Sequence, residues 1–179
     1  TRNAVQTYEA TQITIKDCYG TGFLTSFTDI NGQSLGVNGR TKCTIRNNVV
    51  NCSASFTATD SVFSLLGDDV ECTGNKVTGG GVQIVVHDLS GNTLHLRNYV
   101  VSDNMLWNSL GNAISINQNS ATYGNNSNAQ IVVSNNNIYS PALSGIGVTG
   151  AYVGSGATLG STVISGNTVV DGLTNTLAP

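Results

Sequence analysis

The chain has 179 residues and a net charge of -3 at pH 7 from only seven basic side chains, so no basic patch exists to neutralise a phosphate backbone and nucleic acid is not an expected partner. Hydrophobic residues make up 39% of the chain and charged ones 9%; with abundant Val, Ile and Thr this describes a packed, strand-rich protein rather than a disordered polar tract. No run approaches the roughly 20 apolar residues of a membrane span, so membrane insertion is not expected either.

In chain order, the first clear element is ITIKDC (13–18), followed by FLTSF (23–27). The same pair of elements returns as CTIRNN (43–48) with SFTA (55–58), VECTGN (70–75) with VQIVV (82–86), YVVSDN (99–104) with AISI (113–116), IVVSNN (131–136) with IGV (146–148), and finally TVISGN (162–167). Alternation with period two marks these as strands and not helices. The anchors Ile15, Ile45, Cys72, Val101, Val133 and Ile164 are separated by 30, 27, 29, 32 and 31 residues, and a period near 30 with uneven loops signals a solenoid. A further apolar residue recurs two positions after each Asn, as Val50, Val77, Leu106, Ile138 and Val169, so one coil holds two or three short strands.

The expected fold is therefore all-β: a right-handed, single-stranded parallel β-helix of about six coils, forming one domain over residues 1–179. Asn48, Asn75, Asn104, Asn136 and Asn167 would fall in one column at the strand spacing of about 4.8 Å. Each amide would donate to one neighbour and accept from another, and each Asn is expected to take the left-handed conformation that the bend requires. Two open ends would expose unpaired strand edges, an aggregation hazard that calls for more chain or for identical partner chains. Thr1 begins no signal peptide and no initiator Met is present, which reads as a piece of a longer chain.

The four cysteines show no CxxC spacing and the two His lie far from any quartet with them, so they are read as structural thiols and no metal is expected. No GxSxG, P-loop or dinucleotide motif occurs, and the glycines of TGGGV and SGIGVTG fall in turns, so no cofactor is expected.

Aligning the second strands places Asp29, Asp60 and Asp88 at one corner of successive coils, with Gln118 continuing the column. Neighbours about 5 Å apart would match a retaining glycosidase pair and alternate members about 10 Å apart an inverting one; alternatively the three are solvated turn residues. Asp68, Asp69 and Glu71 form a second acidic cluster, with Glu71 outward beside Thr44 and Val100. His87 adjoins the Asp column, and His95 stands eight residues further on. Three residues after the corner Asn, Trp107 and Tyr139 share an outward column, where their rings would stack either as a sugar platform or in a subunit interface.

The recurrent apolar-x-(Gly/Asn/Asp)-Asn-x-apolar unit across residues 13–170 resembles the repeats of right-handed β-helix proteins of the pectate-lyase-like type. With the Asn, Gly, Ser and Thr content, few charges and unpaired Cys, the chain resembles a bacteriophage tailspike or tail appendage. That resemblance implies a homotrimer, a virion component assembled in the host cytoplasm, and a bacterial surface polysaccharide as ligand. Three functions follow: a receptor-binding segment using Trp107, Tyr139 and Gln118; a polysaccharide depolymerase using two of Asp29, Asp60 and Asp88; or a structural stalk.

Overall fold

The computed structural model describes residues 3–8, 12–22, 26–31, 42–52, 56–66, 69–87, 98–117, 130–149 and 162–170. Within them every regular element is a β-strand. Sheet A contains β1 (Asn3–Tyr8), β4 (Ser26–Asn31), β7 (Ser61–Leu66), β10 (Val82–His87), β13 (Ile114–Asn117) and β16 (Ile146–Thr149). Sheet B contains β2 (Gln12–Lys16), β5 (Lys42–Arg46), β8 (Asp69–Thr73), β11 (Asn98–Ser102), β14 (Gln130–Ser134) and β17 (Thr162–Ser165). Sheet C contains β3 (Tyr19–Thr21), β6 (Val49–Asn51), β9 (Lys76–Thr78), β12 (Met105–Trp107), β15 (Asn137–Tyr139) and β18 (Thr168–Val170). Successive strands of the chain enter successive sheets and every pairing is parallel, which makes the fold a parallel β-solenoid.

The repeat period is what sets the register. Ile15 lies opposite Ile45, Ile45 opposite Cys72, Cys72 opposite Val101, Val101 opposite Val133 and Val133 opposite Ile164. Period-two alternation then turns one set of side chains inward: in β2 the buried Ile13 and Ile15 alternate with exposed Gln12, Thr14 and Lys16. The inward residues of all three sheets, such as Ile45, Leu65, Ile84, Val101, Leu106 and Ile138, form one core along the axis. Each such side chain contributes about 1.5–3 kcal/mol of burial.

Between sheets B and C the chain turns in two residues. The first is left-handed in each coil: Asp17, Asn47, Asp103 and Asn135 have φ of 55 to 57°, and Gly74 and Gly166 have 66° and 64°. The expectation that the ladder Asn itself takes this conformation is corrected, because the residue before it does. A left-handed L-residue costs roughly 1–2 kcal/mol, least for Asn and Asp and nothing for Gly, which explains the choice of residues at this position.

Relieved of the bend, the second residue turns its amide inward. Asn48, Asn75, Asn104 and Asn136 are wholly buried and fully hydrogen-bonded. Asn75 donates through Nδ2 to Asn104 Oδ1 (3.0 Å) and to the Ile45 carbonyl (3.1 Å), while its Oδ1 accepts from Asn48 N and Nδ2 (both 3.0 Å). The same four contacts repeat at Asn104 and Asn136, and Asn167 ends the ladder, accepting from Asn136 and donating to the Val133 carbonyl. In the first coil Cys18 replaces Asn and only its backbone N–H joins the ladder, donating to Asn48 Oδ1 at 3.1 Å.

Two sheet A strands differ from expectation. The strand of the second coil is β7, not SFTA at 55–58, and the first is β4, starting three residues after Phe23. A turn causes the first shift: Asp60 Oδ2 accepts from Thr57 N (2.7 Å) and Oγ1 (2.8 Å), and the strand begins only after it. Phe63 and Leu65, both fully buried, then take the inward positions.

Candidate functional site

With those strands moved, Asp29 and Asp60 do not share a column. Asp29 lies in β4 opposite Ser64 of β7, four residues beyond Asp60, or roughly 13 Å along an extended strand. The separation exceeds both glycosidase spacings. Asp29 instead accepts from Gln6 Nε2 at 3.2 Å, while Asp60 closes its own turn, so each carboxylate has a local structural partner. Asp88, Gln118, Asp68 and His95 lie outside the described residues, as does the side chain of His87.

The aromatic pair does come together. Trp107 in β12 is registered with Tyr139 in β15, and the rings stack with centroids 5.9 Å apart and planes at 12°. Both side chains are half-buried, rooted in strands whose central residues Leu106 and Ile138 are wholly buried. The Trp107 carbonyl is held twice more, by Gly79 N at 2.8 Å and by the wholly buried Gln83 Nε2 at 2.7 Å. The strand that carries the indole is thus fixed from the core side and from the neighbouring coil.

Stacking along the solenoid axis has a consequence for how such a pair can be used. One face of each ring is covered by the other, so the pair is not a single flat platform. The open face of Trp107 is turned toward β9, where Thr78 is its register partner, and that of Tyr139 toward β18, where Val170 is. Thr78 is much smaller than the indole, so it covers less of that face than Tyr139 covers of the other.

A second feature lies around the corner on sheet B. Glu71 is outward and half-buried, opposite Thr44 and Val100 as the repeat requires. It lines an open groove of about 630 Å³ together with Lys42, Asp69, Asn98, Ser102 and Asp103. Asn98 Nδ2 donates to Asp69 Oδ1 at 2.8 Å, and Lys42 is registered with Asp69, so opposite charges face each other on adjacent strands. Lys42, Asn98 and Ser102 were not singled out from sequence; the signal was there, since each shares an outward column with an acidic or hydroxyl neighbour one period away.

All four cysteines are free thiols. Burial pushes Cys43 and Cys52 up to about 12 and Cys72 well above its ordinary value, so these three are neutral packing groups in the physiological range. Among the described residues no cluster of three or more His, Cys, Asp or Glu is placed to hold a metal ion.

The site and scaffold define a β-solenoid that presents aromatic and polar columns on a rigid outer surface. Comparison of the chain with protein-family models, with curated proteins and with solved structures finds no match.

Proposed function

We propose that this solenoid is a receptor-binding segment of the bacteriophage tailspike type, holding a bacterial surface polysaccharide against its outer face. The observation that carries the reading is the Trp107–Tyr139 stack: two large rings kept half-exposed on strands locked by the core. Indole and phenol faces dock the C–H faces of sugar rings, and a column rigid before binding loses little conformational freedom on binding. The hydroxyl, amide and carboxylate groups of the sheet B groove supply hydrogen-bond partners for further sugar units. Among the described residues, parallel edges at both ends of the three sheets support assembly with identical chains into a homotrimer, and two buried thiols and a half-buried one suit assembly in a reducing host cytoplasm before incorporation into the virion.

The test is incubation with a panel of purified bacterial polysaccharides, following both binding and new reducing ends. Trp107→Ala is expected to weaken binding about tenfold or more with the oligomeric state unchanged. Loss of the oligomer in Trp107→Ala would instead make the ring pair a subunit interface. New reducing ends would move the chain to the depolymerases, and silence toward every glycan would leave the structural stalk.

A further inference from the structure

The outer face of sheet C is almost devoid of charge. Its outward columns read Tyr19, Val49, Lys76, Met105, Asn137, Thr168 and Thr21, Asn51, Thr78, Trp107, Tyr139, Val170. Lys76 is the one charged residue in these strands, whereas the sheet B groove carries Asp69, Glu71 and Asp103. The chain as a whole is acidic, so a face with a single cation and no carboxylate is a local inversion of the balance.

Lys76 is placed to use it. It lies opposite Met105 in the coil next to Trp107, and two residues before Thr78, the partner of Trp107. That diagonal separates the two backbones by about 7–8 Å, within reach of a lysine side chain. Lys76 is exposed and stands on the side toward which the open indole face looks, because Tyr139 covers the other face. Asn51 continues the column beyond Thr78, with its Nδ2 held by the Tyr19 hydroxyl at 3.2 Å and its carbonyl oxygen left as an acceptor.

We infer that the sheet C face selects an acidic polysaccharide: a sugar ring docks on the open face of Trp107 and the carboxylate of that sugar, or of the next one along the axis, pairs with the Lys76 ammonium. The inference rests on the reading of the ring pair as a glycan site and adds its ligand class. A uronic acid fits both halves of the site, since it offers a C–H face for the indole and an anion for the lysine. A neutral glycan would use the indole alone and leave the cation without a partner.

The experiment splits each bacterial polysaccharide that the full chain binds into two portions, one native and one with its uronic carboxyls reduced to alcohols. Titration of wild type should show the reduced form binding about fivefold more weakly, the size expected of one exposed ion pair. Lys76→Gln should bind the native glycan with that same loss, show no further loss on carboxyl reduction, and lose salt dependence. Lys76→Arg should restore most of the preference. Equal binding of native and reduced glycans by wild type, or unchanged affinity in Lys76→Gln, overturns the acidic selectivity while the ring site survives through Trp107→Ala. If Trp107→Ala binds like wild type, or if it breaks up the oligomer, the site itself is elsewhere and both readings fall.

Discussion

Replacing Asn75 by alanine removes one rung of the buried ladder and tests the physical claim on which the fold depends. Five hydrogen bonds vanish: three donated, to Asn104 Oδ1, the Ile45 carbonyl and Cys72 Sγ, and two accepted from Asn48. Asn104 Oδ1 keeps the Asn75 backbone N–H as a partner, but Asn48 N and one amide proton of Asn48 lose theirs in a wholly buried setting. Each orphaned buried donor costs about 1–3 kcal/mol, so Asn75→Ala should destabilise by about 3–5 kcal/mol. For a domain of this size that corresponds to a fall in melting temperature of roughly 10 °C or more. Asn167→Ala also orphans two donors, Asn136 N and one Asn136 amide proton, but at a half-buried rung that solvent can reach, so it should cost less. Asn75→Asp keeps the volume and the acceptors but sets a carboxylate oxygen against two other acceptors, and should be no better than alanine. Equilibrium denaturation followed by far-ultraviolet circular dichroism measures all three. An Asn75→Ala chain within about 1 kcal/mol of wild type, or an Asn167→Ala chain just as damaged, would refute the ladder as a cooperative element.

The thiols and one glycine give two more expectations. A thiol reagent at neutral pH should modify the exposed Cys18 quickly and Cys43, Cys52 and Cys72 only on denaturation; rapid titration of all four in the native chain would contradict the packing. Because Cys43 rises from 9.0 to about 12 on folding, the unfolded chain releases that proton first, so stability is fully present below pH 9 and declines above it, by roughly 1.4 kcal/mol per pH unit for this thiol. Cys43→Ala should flatten that slope in denaturation curves measured at successive alkaline pH values. At Gly81 a Cβ would run into the backbone carbonyls of Thr57 and Asp60, which no side-chain movement can relieve, so Gly81→Ala should cost about 3 kcal/mol or more by the same denaturation assay. A Gly81→Ala chain as stable as wild type would show that the Asp60 turn yields easily.

The sequence by itself determined the parts of this protein that repeat. Ile15, Ile45, Cys72, Val101, Val133 and Ile164 had to stack because a coil that buries its apolar positions can only do so on a copy of itself in register, and the same period carried the Asn ladder, Glu71 beside Thr44 and Val100, and Trp107 beside Tyr139. Tertiary structure decided what lies between the repeats. A turn built by Asp60 on Thr57 displaced the second sheet A strand, put Asp29 opposite Ser64, and separated Asp29 from Asp60, which alignment of the second strands had placed at one corner. It also chose which of two adjacent residues turns left-handed and which face of Trp107 stays open, since both are settled by contacts with the next coil rather than by any preference local to the segment.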